Sequence, residues 1–346
     1  MRLLTVVGAR PQFVKAAPVS HALKKAGIDE VLVHTGQHFD AAMSQVFFDE
    51  LDIPAPQHNL EIHGGGHGEM TGRMLVALEP VMVKVRPDAV LVYGDTNSTL
   101  AGALVASKLH IPVVHVEAGL RSFNRQMPEE VNRILTDHVS DLLLCPTRAA
   151  VAHLAREGIT AGVHHIGDVM YDATLLAREI AARRSQVLDD LGVSDDRYAL
   201  ATVHRAENTD DPARLSTILE WLQQRAIEHP IIFPVHPRTA ARVRDLGLDF
   251  GRLKICDPVG YIDMTRLLAG AVAVYTDSGG VQKEAYFHRK PCVTLRDETE
   301  WTETIEYGWN RLWQGPAYQV RRDIPDYGTG AAAERAVGLL RDHFAA

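Results

Sequence analysis

The sequence predicts an α/β protein with two domains, each built around a parallel sheet. The chain has 346 residues, more than a single hydrophobic core usually serves. Short apolar segments rich in β-branched residues alternate along it with segments of helical length. Continuously apolar segments are typical of strands buried on both faces of a parallel sheet. Their alternation with helices favours right-handed strand–helix–strand connections.

The pattern predicts the position of each main element. The strands are residues 3–7, 30–35, 89–93, 113–117, 142–145, 198–203, 231–235, 272–276 and 292–295. The helices between them include residues 14–26, 69–85, 100–108, 213–228 and 281–287.

A pause in this alternation separates the two predicted domains. It falls near residue 167, and a long polar helix, about residues 172–191, is predicted to follow it. We therefore predict an N-terminal domain over residues 1–167 and a C-terminal domain over residues 168–329. Ligands of parallel sheets bind beyond the carboxyl ends of the strands, so two such sheets predict a ligand in a cleft between the domains.

Composition restricts the class of protein. Hydrophobic residues make up 46% of the chain and charged residues 23%, as in globular proteins, and the net charge of −8 argues against a nucleic-acid partner. The widely separated Cys145, Cys256 and Cys292 form no C-x-x-C pair, which fits a reducing compartment. No apolar run reaches the roughly 18–20 residues that cross a bilayer. The first residues read as a strand rather than a signal peptide, so we expect a cytoplasmic protein without a membrane partner.

One candidate phosphate-binding segment follows the first strand. Gly8-Ala9-Arg10-Pro11-Gln12 links this strand to a helix, which brings Arg10 and Lys15 close to the helix N-terminus. The helix dipole favours an anion there. The alternative is an ordinary turn with two solvated cations. The segment lacks the G-x-G-x-x-G pattern that binds nicotinamide dinucleotides.

A second candidate, Thr276-Asp277-Ser278-Gly279-Gly280, also follows a strand and opens a helix. The backbone N–H groups of Ser278, Gly279 and Gly280 are predicted to bind a diphosphate at the helix N-terminus. Glu284, further along the helix, is placed to accept hydrogen bonds from two ribose hydroxyls. The alternative is a glycine-rich turn with a glutamate that complements the helix dipole.

Carboxylates cluster in the N-terminal half. Asp95 and Glu117 each come at the end of a predicted strand, and Glu129 lies in the first turn of a helix that begins at Pro128. Crowded carboxylates repel each other, which raises the pKa of one of them and supplies an acid and a base near neutral pH. We therefore predict an acid–base site at this edge of the sheet. The alternative is a separate local role for each, as a helix cap, an ion-pair partner and a helix-start acid respectively.

Polar residues also follow strands of the C-terminal half. His204-Arg205 comes directly after residues 198–203, and His236 comes after residues 231–235. A histidine at such a position can titrate, donate a hydrogen bond to phosphate or cap a helix. The 17 histidines include no H-E-x-x-H pattern, so no metal site is predicted.

A set of short segments occurs in a fixed order along the chain. They are Gly8-Ala9-Arg10-Pro11, Gly36-Gln37-His38, Gly94-Asp95-Thr96, His115-Val116-Glu117-Ala118-Gly119-Leu120-Arg121, Pro128-Glu129-Glu130-Val131-Asn132-Arg133, His204-Arg205 and Asp277-Ser278-Gly279-Gly280-Val281-Gln282. Each is a weak signal alone, whereas the set as a whole is specific. It resembles the non-hydrolysing UDP-N-acetylglucosamine (UDP-GlcNAc) 2-epimerases from Met1 to roughly residue 315.

The resemblance implies a GT-B-like arrangement of two Rossmann-like domains, with a last helix within residues 330–346 joining the first domain. It also implies a reaction, the interconversion of UDP-GlcNAc and UDP-N-acetylmannosamine (UDP-ManNAc). In this family UDP is eliminated to give 2-acetamidoglucal and is then added back with inversion at C2. No metal or nicotinamide cofactor is implied, and a homodimer is expected.

The same resemblance implies the roles of the site residues. The predicted catalytic residues are Asp95, Glu117, Glu129 and His204. The predicted residues that bind the UDP-sugar are Arg10, Lys15, Arg133, Arg205, His236, Asp277, Ser278, Gly279, Gly280 and Glu284. Glu284 would bind the ribose, while Arg133 and Asp277 would orient their neighbours. Which carboxylate is the base and which is the acid stays open.

Departures from the family pattern concern the sugar. Trp301 stands where the pattern has arginine, Met264 stands where it has an aromatic residue near the uracil, and the segment after Glu117 is short. Trp301 and the short segment resemble the branch that acts on UDP-2,3-diacetamido-2,3-dideoxyglucuronate, which is the nearest alternative substrate. More distant alternatives are a GT-B glycosyltransferase and a non-catalytic UDP-sugar sensor.

Overall fold

The computed structural model of the chain describes residues 1–37 and 47–344. They form two compact units, one comprising Met1–Leu176 and the stretch from Pro325 onwards, the other comprising Ala177–Ile324. His38, which belongs to the Gly36-Gln37-His38 segment, lies outside the described residues, as do residues 345 and 346. The division into domains 1–167 and 168–329 stays a prediction, because a compact unit need not coincide with a domain that folds by itself.

The first unit contains a parallel sheet of seven strands. They are β1 (Arg2–Val7), β2 (Asp29–His34), β3 (His58–Asn59), β4 (Ala89–Tyr93), β5 (Val113–Val116), β6 (Leu142–Cys145) and β7 (Val163–His165). Their order in the sheet is β3-β2-β1-β4-β5-β6-β7. Tyr93 at the end of β4 pairs with Val116 at the end of β5. The residues that follow these two strands are therefore brought to the same edge of the sheet.

Helices cover this sheet. They are Arg10–Lys25, His67–Val85, Asn97–Lys108, Pro128–His138, Arg148–Arg156 and Ala332–Phe344, with a 3-10 turn at Pro325–Tyr327. Local sequence explains several of their starts. Pro11 and Pro128 occupy first-turn positions, where a missing N–H costs nothing, and the Thr96 and Thr147 side chains accept hydrogen bonds from the first turns of their helices.

The second unit contains a parallel sheet of six strands in the order β10-β9-β8-β11-β12-β13. They are β8 (Ala199–Thr202), β9 (Ile231–Pro234), β10 (Lys254–Cys256), β11 (Val274–Thr276), β12 (Cys292–Thr294) and β13 (Asn310–Leu312). Its helices are Val187–Asp190, Ala206–Thr209, Pro212–Arg225, Pro237–Asp245, Tyr261–Gly270, Gly279–Phe287 and Thr302–Glu306. The helix Val169–Arg184 begins in the first unit and ends in the second.

The predicted α/β class with two parallel sheets is confirmed, and each predicted strand is present within two residues of its expected ends. The pattern missed the four edge strands, β3, β7, β10 and β13. Each is only two or three residues long and none is fully buried, so none carries a continuous apolar run.

The prediction of one uninterrupted helix over residues 172–191 was wrong. A helix begins earlier, at Val169, and ends at Arg184; a short second helix, Val187–Asp190, follows. Ser185 interrupts them, because its hydroxyl donates to Asp263 (2.6 Å) and accepts from the N–H of Val187 (3.3 Å). A serine that makes such local bonds competes with continued helix formation.

No helix in residues 1–37 and 47–344 is both long enough and apolar enough to cross a membrane.

The last helix, Ala332–Phe344, is held at its start by a carboxylate from another helix. Asp172 is buried and accepts hydrogen bonds from the N–H groups of Ala332 (3.2 Å) and Ala333 (2.9 Å). Burial raises the pKa of Asp172 to about 6, although these two N–H groups act in the opposite direction. The carboxylate takes the place of a local N-cap side chain.

We expect Asp172→Ala to lower the free energy of unfolding by about 1–2 kcal/mol, the usual cost of losing a helix cap. Amide hydrogen exchange over residues 332–344 should accelerate, because the start of the helix loses its hydrogen-bond acceptor. Asp342→Ala removes an exposed carboxylate from the same helix and is the control. Equal stability of the two variants would contradict the capping role.

Candidate active site

The turn after β1 is fixed from inside the protein by Gln12. Its side-chain oxygen accepts from the N–H groups of Gly8 (2.8 Å) and Ala9 (3.0 Å), and its amide nitrogen donates to the Tyr93 carbonyl (3.0 Å). A Cβ on Gly8 would lie 2.0 Å from the Thr35 hydroxyl, so this position has room only for glycine. The turn is thereby tied to the end of β4.

The two predicted phosphate-binding cations of the first unit are placed differently. Arg10 is exposed at the first position of its helix, with its guanidinium 4.9 Å from the centre of the Phe47 ring. Lys15, one turn further on, forms an ion pair with Glu117, and these side chains are only 11% and 12% exposed. Lys15 therefore belongs to the carboxylate cluster.

That cluster lies where β4 and β5 end. Asp95 forms an ion pair with Arg133, whose guanidinium also contacts Glu130 at 2.9 Å. Glu117 and Lys15 form the second pair. The predicted residues Asp95, Glu117, Lys15 and Arg133 are thus brought together. Glu129 is exposed in the first turn of the helix Pro128–His138, and its charge acts on Asp95 from there.

The electrostatics of the cluster make its members unequal. Burial and repulsion from Glu117 raise the pKa of Asp95, against the opposing attraction of Lys15 and Arg133. Burial by itself would lower the pKa of Lys15, but the charge and hydrogen bond of Glu117 outweigh it, and the pKa is raised. Lys15 therefore stays cationic, and Asp95 is shifted towards carrying a proton nearer neutral pH.

The backbone supports this crowding in an unusual way. Glu117 has φ = 74°, a left-handed conformation that costs a residue with a Cβ roughly 1–2 kcal/mol. Its N–H and that of Ala118 both approach the Leu144 carbonyl, at 3.0 and 3.2 Å. Gly94 also has a positive φ, of 64°, and a Cβ there would lie 3.2 Å from the Glu117 carboxylate. Strain of this kind concentrates at functional sites.

Glu130, next to the predicted Glu129, was not assigned a role from the sequence. It is buried and accepts from the N–H groups of Ser122 (2.9 Å) and Phe123 (2.8 Å). Burial acts to raise the pKa of Glu130, but these bonds and Arg133 outweigh it, and the pKa is lowered. Glu130 holds the segment that follows Glu117. The three-residue spacing to Arg133 indicates the ion pair between these two residues, whereas no sequence pattern indicates the bonds from Ser122 and Phe123.

In the second unit a fully buried carboxylate organises the candidate phosphate site. Asp277 accepts from the backbone N–H groups of His204 and Arg205, both at 2.9 Å, and from the Asn208 amide at 3.0 Å. The end of β11 is thereby joined to the end of β8. The side chains of His204 and Arg205 are 44% and 41% exposed, so both are accessible to a ligand.

The glycine-rich segment begins the helix Gly279–Phe287, with Ser278 as the N-cap residue. A Cβ on Gly279 would lie 2.2 Å from a carboxylate oxygen of Glu300, whereas the nearest atom to a Cβ on Gly280 is 4.0 Å away. Gly279 is therefore needed for the approach of residues 296–301, a segment we call the 296–301 loop. The predicted helix N-terminus is present at these residues.

The 296–301 loop brings charge to this helix start. Arg296 contacts Glu300 at 2.8 Å and Glu207 at 3.0 Å, and Arg205 lies 4.0 Å from Glu300. The Trp301 indole N–H is buried and has no hydrogen-bond acceptor within the described part of the chain. The sequence marked Trp301 as a departure from the family pattern but gave no contacts for it.

Two further predicted residues have positions that bear on their roles. His236 is the N-cap of the helix Pro237–Asp245, and its ring accepts a hydrogen bond from the N–H of Arg238 (3.2 Å). Helix capping was one of the alternatives for this histidine. Glu284 is half-buried on the helix Gly279–Phe287.

Within residues 1–37 and 47–344, no group of three or more His, Cys, Asp or Glu side chains is arranged to hold a metal ion.

Comparison with known proteins gives these features a context. The family model for UDP-N-acetylglucosamine 2-epimerase matches residues 21–341. A UDP-2,3-diacetamido-2,3-dideoxy-D-glucuronate 2-epimerase of Pseudomonas aeruginosa is 54% identical over 318 residues, 90% of this chain and 88% of that protein. The structure of the UDP-GlcNAc 2-epimerase of Methanocaldococcus jannaschii has a TM-score of 0.90 and 43% identity, covering 99% of this chain and 100% of that one.

A further structure of the Methanocaldococcus jannaschii enzyme, in complex with UDP-GlcNAc and UDP, matches with a TM-score of 0.82, 43% identity and the same coverage. The fold is therefore the GT-B-like fold of these enzymes, and the protein is an enzyme of the epimerase class. The chain belongs to the UDP-N-acetylglucosamine 2-epimerase family. The family resemblance found in the sequence is confirmed.

The buried Asp277 carboxylate generates a stability prediction. In Asp277→Asn, the buried N–H groups of His204, Arg205 and Asn208 lose their bonds to a negatively charged acceptor. Weakening these buried, charge-assisted bonds should lower the free energy of unfolding by about 1–3 kcal/mol, measured by chemical denaturation.

Asp297→Asn is the matched control, because Asp297 is an exposed carboxylate of the same unit, paired with Arg214. Its stability should stay within about 0.5 kcal/mol of the unchanged protein, the usual range for surface substitutions. A loss of stability in Asp297→Asn as large as that in Asp277→Asn would argue against a special role for Asp277.

Proposed function

We propose that the protein is a non-hydrolysing UDP-sugar 2-epimerase that interconverts UDP-GlcNAc and UDP-ManNAc. The observation that carries the proposal is the cluster at the ends of β4 and β5. There Glu117 is paired with Lys15, and burial and the charge of Glu117 raise the pKa of Asp95. Epimerisation at C2 needs a proton removed from one face and returned to the other, and two carboxylates with different environments can serve both transfers.

The proposed reaction runs in two balanced steps. In the first, a carboxylate removes the C2 proton, the C1–C2 double bond forms and UDP leaves C1 with the electron pair of the C–O bond. In the second, UDP adds back to C1 of the 2-acetamidoglucal while C2 is protonated on the opposite face. The raised pKa of Asp95 fits a group that holds a proton between these steps. No net oxidation occurs, so the reaction requires no redox cofactor.

The departing diphosphate carries developing negative charge, which cations and helix N-termini stabilise. We assign this role to the following groups: Arg10, Lys15, His204, Arg205, His236 and the backbone N–H groups of Ser278, Gly279 and Gly280. Glu284 is proposed to bind the ribose hydroxyls. Asp277 and Arg133 act on this substrate site by orienting their neighbours, as their contacts with His204 and Asp95 support. Glu129 is proposed to share the proton transfers.

A second substrate is favoured by a specific observation. The Pseudomonas aeruginosa relative at 54% identity is an epimerase of UDP-2,3-diacetamido-2,3-dideoxy-D-glucuronate. The chemistry at C2 would be the same, and only the groups that contact the sugar substituents would differ. Trp301, in the 296–301 loop, is one residue by which this chain departs from the UDP-GlcNAc pattern.

Beyond the reaction, we propose a cytoplasmic homodimer whose N-terminal and C-terminal domains are residues 1–167 and 168–329. The family resemblance supports this part of the proposal.

Proton NMR in D₂O with each UDP-sugar tests the substrate. With UDP-GlcNAc we expect UDP-ManNAc to form and deuterium to appear at C2, because the removed proton exchanges with solvent. Turnover of the diacetamido-glucuronate alone would establish the second substrate and reject the first. Free ManNAc with UDP would indicate a hydrolysing enzyme, and binding without C2 exchange would indicate a sensor; either result contradicts the proposal.

The carboxylate assignment predicts the effect of two isosteric substitutions. Asp95→Asn and Glu117→Gln should each lower kcat by about 100-fold or more, the usual scale for losing acid–base catalysis, while UDP still binds. Asp88→Asn is the control: Asp88 is an exposed carboxylate just before the opposite end of β4, where it accepts from the Arg2 N–H. Rates in Asp95→Asn and Glu117→Gln that match the control would reject the assignment.

A further inference from the structure

His115, two residues before Glu117 on β5, is completely buried and faces an oxygen atom at each ring nitrogen. Nδ1 lies 2.7 Å from a carboxylate oxygen of Asp137, and Nε2 lies 2.7 Å from the Gly94 carbonyl oxygen. A carbonyl oxygen only accepts hydrogen bonds, so Nε2 must carry a proton. An ionised carboxylate also only accepts, so Nδ1 must carry one as well. With an ionised Asp137, both hydrogen bonds are made only by the doubly protonated, imidazolium form of the ring.

The donors around Asp137 favour its ionised form. Its second oxygen accepts from Arg121 (2.7 Å) and from the N–H of Gly119 (3.1 Å). Burial acts to raise the pKa of Asp137, but His115 and Arg121 outweigh it and hold the pKa below its usual range. Arg121 also contacts Glu157 through two hydrogen bonds, each of 2.7 Å.

The two carboxylates of this group differ in exposure. Asp137 is completely buried, whereas the Glu157 side chain is 28% exposed and also lies 4.0 Å from the His138 ring. A buried charge is tolerated only when it is paired, and His115 and Arg121 are the side chains that face the Asp137 carboxylate.

The hydrogen bonds of this group end on the two turns that carry the acid–base residues. The Gly94 carbonyl belongs to the peptide bond that leads into Asp95, and the N–H of Gly94 donates to the Val116 carbonyl (3.0 Å). His115 itself is on the strand that ends at Glu117. Gly119, bound by Asp137, follows the left-handed Glu117 directly after Ala118. Together with Asp137, His115 thus provides a buried side-chain link between the turn after β4 and the turn after β5.

We propose that His115 and Asp137 form a buried imidazolium–carboxylate pair that positions Asp95 and Glu117 relative to each other. The pair acts through the backbone of these two turns and is itself shielded from substrate. This inference rests on the proposed function, because it gives the pair a purpose in proton transfer. A displacement of about 1 Å in a reacting group can cost about 100-fold in rate, so small shifts of these turns have large consequences.

The protonation state is tested first, by NMR on protein labelled with ¹⁵N-histidine. We expect two slowly exchanging ring N–H protons that are lost together in His115→Gln, the signature of a buried imidazolium at neutral pH. Asp137→Asn should convert the ring to a neutral form with a single N–H. A neutral His115 ring in the unchanged protein would overturn the proposal, whatever the variants do and whether or not the protein is an epimerase.

Kinetics then test the positioning. His115→Gln and Asp137→Asn should each lower kcat by about 10- to 100-fold, with KM and UDP affinity within about threefold. The double variant should be no slower than the slower single variant, because both substitutions break the same His115–Asp137 hydrogen bond. His165→Gln is the matched control: this histidine, at the end of β7, bonds a backbone carbonyl of Asp326 (2.8 Å) and contacts neither turn.

Unchanged kcat in both single variants, or multiplicative losses in the double variant, would overturn the positioning role. An equal loss in His165→Gln would do so as well. Failure of the proposed function itself is distinguishable, because the unchanged protein would then show no deuterium exchange at C2 of either UDP-sugar. The ring-proton signature of His115 does not depend on that result.

Discussion

The ion pair between Lys15 and Glu117 is the interaction on which the first unit's site depends. Removing charges from water is costly unless each is paired, and here two carboxylates at neighbouring strand ends lie together, with Glu117 12% and Asp95 33% exposed. Lys15 compensates Glu117, and Arg133 compensates Asp95. The pairs do not cancel the crowding completely, as the raised pKa of Asp95 shows. That residual imbalance favours the protonated form of Asp95.

Geometry at the strand ends makes this crowding possible. Parallel pairing of β4 with β5 places the residues after both strands at one edge. The left-handed turn at Glu117 and the glycine at position 94 then allow the carboxylate to approach Lys15 without a steric conflict. Gln12 adds the turn after β1 to the same assembly. Backbone strain at Glu117 is thus accepted where the side chain must point in one direction.

The second unit uses a buried carboxylate for a different purpose. Asp277 accepts hydrogen bonds from backbone and amide N–H groups, and the side chains of His204 and Arg205 remain exposed. The glycine at position 279 lets the 296–301 loop approach the start of the helix. Since Trp301 lies in this loop, the sequence difference that bears on the sugar falls beside the helix start proposed to bind diphosphate.

The sequence by itself determined the α/β class, the buried strands, the family and the candidate residues at strand ends, because continuous apolar runs and short ordered motifs are local properties of the chain. It did not determine the edge strands, which are too short and too polar to leave a periodic signal. It also did not reveal the roles of Gln12, His115, Glu130 and Asp137. These depend on burial and on partners distant in the chain, which only the tertiary structure brings within hydrogen-bonding distance.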